Sequence, residues 1–501
     1  MNVNPMTPLT ELRILHDVPL EISYKDTLEF SSVSTQETFF KGKTKYTFTD
    51  LSPIRMQNMI RVPVVADNLY DCNYIMFKNS NFNNKWFYAF IKEINFINVN
   101  MCEISFEIDV IQTWLFDINL NESFVEREHT NDDTIGSNLV DENLELGDYI
   151  SYGLDGSGHL GRKAIVVAAT VDSSGADAYG GTYCGIYSGV KYNVFSSAAD
   201  VNAMIEAITP ENRSSAIVSI FMMPAEMVGE EGDSAKTYTV IKSKKYDSID
   251  GYTPKNNKLF TYPYNFLYVT NLDGNGADFH YEYFNNANCR FLLAGDMSCN
   301  PQVFLAPMDY KGVDVNYNEK MVISGYPQCT YSTDSYKAWL AQNGGATAIG
   351  VLGPAFMTAT GLATGNAALA VSGAVSIGTT LAKINATSNL PRQASGSPGS
   401  SASYAVGIKD FAFMQTSIRA EYARIIDNYF SMYGYKTNKV KVPNIRGRES
   451  WNYVKTIDSK ITGSIPFNDL TKIRGIFDNG VTFWHGDYVG QYNRSNDIIG
   501  G

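Results

Sequence analysis

From Cys102 to Val110 apolar and polar side chains alternate without a break, with Cys102, Ile104, Phe106, Ile108 and Val110 on one side and Glu103, Ser105, Glu107 and Asp109 on the other. A period of two over nine residues suits a strand and not a helix, so this stretch needs a sheet with one covered face and one wet, acidic face. Met101–Trp114 then reads as one arm of a long antiparallel hairpin, and Lys85–Asn98 as the other. Lys45–Asp50 and Asn73–Lys78 carry shorter strand texture. A hairpin of that length belongs in a β-barrel or sandwich layer.

The rest of the chain divides by texture. Residues 1–150 are β-rich, and residues 151–257 read as an α+β insertion. There the strand Arg162–Thr170 precedes a helix N-capped by Ser197, with Val201, Met204, Ile205 and Ile208 on one face, and a strand Ser215–Pro224 follows. Residues 258–337 return to strands at Phe260–Thr270, Phe279–Phe284 and Cys289–Gly295, a second β domain. Residues 338–408 are a Gly/Ala-rich apolar stretch followed by a Ser/Gly/Pro linker. Residues 409–501 close the chain with an amphipathic helix over Phe411–Gly434, a strand over Trp451–Gly463 and a helix capped by Asn468. The expected class is mainly β with α+β parts, and 501 residues call for several domains.

Charge is scarce and acidic. Lys and Arg number 40 against 52 Asp and Glu, a net charge of −12 that disfavours a surface made to hold nucleic acid phosphates. Charged residues are 18% of the chain, below the ~25% of ordinary soluble domains. Much of the shortfall lies in Ala338–Ala382, which holds no Asp, Glu, Lys or Arg and is bracketed by Lys337 and Lys383. The stretch is long enough for two helices of about 18 to 20 residues, each near the ~30 Å of a bilayer core. Gly365-Asn366 is a natural turn between them, and Gly361 with Gly365 and Ala370 with Ala374 are small-xxx-small pairs that let helices approach in lipid. Frequent Gly, Ser and Thr keep its hydropathy moderate, which suits conditional insertion better than permanent anchoring. A buried Gly/Ala-rich helix pair and a disordered insert are equally compatible with this composition. The first twenty residues lack a basic stretch followed by an apolar one, so no secretory signal is expected; the protein would act where it is made or be carried out in an assembly.

No motif argues for catalysis, a cofactor or an assured metal. Cys72, Cys102, Cys184, Cys289, Cys299 and Cys329 form no CxxC pair and read as buried thiols. Gly156, Gly158 and Gly161 match GxGxxG, but the strand follows the glycines instead of preceding them, the wrong order for a dinucleotide site. Asn271, Asp273, Asn275 and Glu282, with Gly276, fall at positions of an EF-hand calcium loop, although strands and not helices flank them, and Asn275-Gly276 is also a hairpin signal. His16, His129, His159, His280 and His485 are scattered singly.

Three segments carry a resemblance: Phe106–Asp117 with Ser123–Thr130, then Gly434–Thr456, then Leu470–His485. Together and in this order they resemble the tail knob (distal tail tube) proteins of small short-tailed phages, podoviruses, of Gram-positive bacteria. The resemblance implies a homohexameric β-rich tube in the virion at the distal end of the tail, in contact with upper tail or collar proteins and tail-tip components. Double-stranded DNA would pass through the lumen without being held. Six hydrophobic loops would plug the tube and later enter the host cytoplasmic membrane as a pore, after synthesis in the host cytoplasm. On this sequence the loop corresponds to roughly residues 338–403, with Gly344, Gly353, Pro354, Phe356, Gly361, Gly365, Leu369, Val371, Ala374, Val375, Ile377 and Leu381 as its membrane-active residues. Glu103, Glu107 and Asp109 are candidates for an acidic lumen face. The alternatives are a tail-associated cell-wall hydrolase and a receptor-binding or toxin-like pore protein.

Overall fold

Alternation at Cys102 does build a sheet, and the sheet is long. The computed structural model describes residues 10–311 and 411–499, apart from 50, 52–57, 81–83, 156–162, 172–181, 184–185, 188–190, 209–215, 229–236, 272–275 and 296–302. These residues fall into two units. The first takes the described residues up to Glu145, Pro254–Lys258 and Arg424 onward; the second takes those of Leu146–Thr253 and Leu259–Ala423.

In the first unit six antiparallel strands lie in the order Thr44–Phe48, Thr10–His16, Cys72–Asn79, Trp86–Asn98, Met101–Ile108, Met59–Val62. The expected hairpin pairs Ala89 with Ile108 and runs to Asn98 opposite Met101. Cys102, Ile104 and Phe106 are buried beneath it. The strand stops at Ile108, so the expected extension to Trp114 and the place of Asp109 on the wet face are both corrected. Asp109 is 1% exposed and N-caps the helix Val110–Trp114, its Oδ1 accepting from the Gln112 N–H at 3.0 Å. An Asp with Gln three residues on is a capping signal, and here it overrides a period of two.

A five-stranded sheet completes the unit, in the order Asp26–Leu28, Val481–Trp484, Trp451–Ile457, Ser123–Glu128, Tyr435–Lys441. Trp451 and Trp484 are neighbours in its core, ring centroids 5.1 Å apart. The helix Phe467–Asn479 buries Ile473, Ile476 and Phe477. It starts one residue before the expected Asn468 cap, because Pro466 supplies the first carbonyl acceptor, to the Leu470 N–H at 2.9 Å.

The second unit is built of small antiparallel sheets. Tyr149–Gly153, Ala412–Ile418, Asn265–Thr270 and Gly276–Phe279 form one; Tyr238–Ser243, Asn288–Gly295 and Val303–Met308 another; Lys191–Phe195, Lys163–Ala169 and Ile217–Pro224 a third. The helix Ala198–Ile208 starts at Ser197 as expected, the Ser197 Oγ accepting from the Asp200 N–H at 3.3 Å. Three expectations change. Phe260–Thr270 is strand only from Asn265, after a 3-10 turn over Asn257–Phe260. Phe279–Phe284 is a strand only to Phe279 and then a 3-10 turn over Tyr281–Tyr283. Phe411–Gly434 is not one helix: Ala412–Ile418 is a central strand hydrogen-bonded on both sides, and the helix is Ala420–Tyr433. Sheet pairing on two edges outweighs the helical spacing of its apolar residues, and Asp250 Oδ2 then accepts from the Ala420 N–H at 3.1 Å to start the helix. Gly434 ends it at φ +64, where an added Cβ would lie 2.1 Å from the Glu128 carbonyl oxygen.

Three distant stretches of the first unit meet at one buried carboxylate. Glu142 accepts from Arg127, from the Lys258 Nζ and, at 2.9 Å, from the Lys436 N–H. Lys258 also donates to the Val140 carbonyl at 2.8 Å, and Arg127 to that of Gly434 at 2.7 Å. With Glu142 and Lys258 shut away from water, removing the anion leaves two buried cations unpaired. Glu142→Gln should therefore cost about 3–5 kcal/mol, read as a lower urea midpoint by tryptophan fluorescence; a loss under about 1 kcal/mol, the scale of surface pairs, would show that the cluster is not a clamp.

Candidate functional site

Glu103 and Glu107 stand on the outer face of the Met101–Ile108 strand, but neither is bare. Glu103 accepts from Arg61 Nε at 2.9 Å, and Glu107 lies between Lys472 and, at 3.5 Å, Lys92. The Lys472 ammonium beside it holds the Glu107 carboxyl below the usual carboxylate range. Asp109 is removed from this face into the core, where burial raises its carboxyl to about 6 although the Gln112 N–H and the Tyr74 hydroxyl, at 2.8 Å, both donate to it. At the free end of the same hairpin Phe96, Ile97 and Val99 are exposed.

The apolar residues from Gly344 to Leu381 lie outside the described residues, as do Asp273, Asn275 and the Gly156–Gly161 glycines. Of the calcium-loop residues, Asn271 and Glu282 are described. Thr270 pairs with Gly276 across the hairpin, and Glu282 sits beyond it, its Oε1 accepting from the Tyr262 N–H at 3.1 Å. Among the described residues no helix is long and apolar enough to cross a membrane, and no three His, Cys, Asp or Glu side chains gather as a metal site. Cys72, Cys102 and Cys289 are buried thiols.

The described histidines are held apart. His16 lies 2.7 Å from Asp17 at the surface, and His280 stacks on Tyr262 with ring centroids 3.9 Å apart. His485 bridges Glu29 at 3.2 Å and Asn452 at 3.3 Å. Burial alone would raise the Glu29 carboxyl, but His485 and Arg446 together hold it below its usual range.

His129 lines a cavity of about 460 Å³ in the first unit. Five stretches of chain shape it, one of them contributing Ser431. His129 comes from the end of the Ser123–Glu128 strand. Lys255 and Asn256 are fixed by their backbone N–H groups donating to Asp427 at 2.8 and 3.0 Å. The segment Tyr492–Asp497 is pinned over Trp451, where Asn496 Oδ1 accepts from the Ser450 and Trp451 N–H groups at 3.0 and 2.9 Å. Arg448 completes the wall. Sequence reasoning missed this cavity, because its lining residues carry no motif and are contributed by segments hundreds of positions apart.

The His129 ring is neutral for a geometric reason. Its Nδ1 accepts from the Tyr453 N–H at 2.8 Å, which leaves Nε2 to donate to the Ser431 carbonyl at 3.1 Å. Burial, with Arg448 adding repulsion, pushes its pKa down to about 3. The unfolded chain takes up this proton near the ordinary 6.5, so the contribution of His129 to stability is complete above pH 6.5 and is lost as pH falls from there towards 3. Asp109 acts in the opposite sense, gaining its proton in the folded state first as pH falls through about 6. His129→Gln, which can keep one donor and one acceptor, should flatten the decline of stability between pH 6.5 and 4, while Asp109→Asn should steepen it; equal slopes in denaturation curves across that range would contradict both assignments.

A family model described as the C-terminal domain of the tail knob protein gp9 of Bacillus phage phi29 matches residues 232–497, and one described as the N-terminus of caudoviral major tail proteins matches residues 8–119. Among curated relatives, the tail knob proteins gp9 of Bacillus phages phi29 and PZA are each 28% identical, with 98% of this chain and 98% of theirs covered. The solved tail knob protein gp12 of bacteriophage C1 superposes with a TM-score of 0.65 at 16% identity, covering 98% of this chain and all of that one, a likeness of fold. The chain belongs to the family of the phi29 tail knob protein. It is a structural component of a short phage tail, mainly β with α+β parts, and its place is in the virion among other tail proteins.

Proposed function

We propose that six copies of this chain form a tube at the distal end of the tail through which the genome leaves the virion. In this reading residues 338–408 are an apolar loop and its linker. Six such loops plug the lumen before infection and enter the host cytoplasmic membrane on contact, lining a pore for double-stranded DNA. The observation that carries it is the run of 45 residues between Lys337 and Lys383 without a formal charge, set within a chain of the tail knob family. Helices from that run can be tolerated inside protein, and their small-xxx-small faces gain close packing in a bilayer only when several copies meet there.

The net charge of −12 per chain supports passage without capture, because repulsion keeps the polyanion from settling on the wall. If Glu103 and Glu107 face the lumen, they do so paired with Arg61, Lys92 and Lys472, so the long-range field and not a bare acidic strip supplies the repulsion. Exposed Phe96, Ile97 and Val99 at the hairpin end offer apolar area for contact between copies.

Dye release from liposomes tests the loop directly. Wild-type protein should release trapped dye, and a chain lacking residues 344–382 should release almost none while keeping its circular dichroism. Equal leakage by the two would remove the loop from the pore.

A further inference from the structure

Cations outnumber carboxylates three to one among the residues lining the cavity beside His129. Lys255, Arg448 and Arg494 line it, and Asp497 is the one carboxylate among its lining residues. None of the three cations forms an ion pair with a described residue, although the Arg494 guanidinium lies 4.2 Å over the Tyr488 ring and Asp133 and Asp497 act electrostatically on Arg448; Asp497 accepts from the Ser495 hydroxyl at 2.7 Å. Arg448 is the most constrained of them. Its guanidinium has five N–H donors, yet it is held by two backbone carbonyls, Thr130 at 2.9 Å and Asn496 at 3.4 Å, and its Nε is shut off from water without an acceptor. Burial lowers its affinity for its own charge.

We infer that this cavity is a binding site for a small phosphate-bearing dianion. Three lining cations against one lining carboxylate leave the cavity wall net positive, and although Asp133 outside the lining also acts on Arg448, that wall suits the negative charge of a phosphate monoester. A guanidinium edge presents parallel donors that match phosphate oxygens, with Lys255 as a movable point charge. His129 does not compete, since both ring nitrogens are already used. Asn493 adds an amide to the lining, Asn256, Ser495 and Asn496 are engaged with Asp427, Asp497 and Trp451 and hold the wall in place, and Trp451 and Tyr492 close it with aromatic surface. A volume of about 460 Å³ exceeds what the phosphate group fills, leaving room for a small organic body attached to it. This site stands on its own geometry and does not depend on the pore.

Calorimetric titration of the full chain with inorganic phosphate, and in parallel with acetate, tests it. Saturable phosphate binding at one site per chain, with acetate at least tenfold weaker, is the expected result. Lys255 and Arg494 are exposed, so Lys255→Gln with Arg494→Gln should fold normally by circular dichroism and bind phosphate roughly tenfold more weakly, about half that loss in free energy coming from each charge. Arg448→Lys, which keeps the charge but not the parallel donors, should weaken it further. No saturable phosphate binding, acetate binding as tight as phosphate, or an unchanged affinity in the folded double variant would each overturn the assignment.

Discussion

Glu142 is the point on which the first unit depends. A carboxylate buried to this extent is costly by itself, and it is tolerable because two cations and a backbone N–H converge on it from different parts of the chain. Lys258 belongs to the five-residue return Pro254–Lys258, and Lys436 and the Gly434 carbonyl to the strand and turn that follow the Ala420–Tyr433 helix. Without that convergence the return segment would have little to hold it, since it contributes few apolar side chains. The same segment supplies Lys255 and Asn256 to the cavity wall, so the clamp and the cavity share one cause.

A tail component has to keep its shape while something else moves. The described residues fit that demand: a six-stranded antiparallel sheet, a five-stranded sheet with one parallel pair and a two-stranded sheet around a hydrophobic core in one unit, and smaller antiparallel sheets in the other. Chemistry that would need convergent acids, a paired His and nucleophile or a metal cluster is not assembled among them.

Much of the fold was legible because strands with one wet face write a period of two into the chain. The hairpin Trp86–Ile108 could be read in this way, while the helix after Ser197 is legible from its cap and its apolar face and the strand Trp451–Ile457 from its texture. Legibility failed where a short local signal competed with a longer pattern. Asp109 kept the alternation in register but served as a cap, and Ala412–Ile418 had helical spacing but two strand neighbours. Family membership was legible from three segments that recur in order. The cavity and the Glu142 cluster were not, because Lys258 and Glu142 are 116 residues apart and an ion pair between distant residues leaves no trace in spacing.

The central claim is that this chain acts as a ring with a lumen open to duplex DNA. Electron microscopy of the assembled protein, averaged without imposed symmetry, measures this most directly. Six-fold rings with a lumen wide enough for duplex DNA are the predicted result, and monomers, another rotational order or a ring too narrow for the duplex would contradict it.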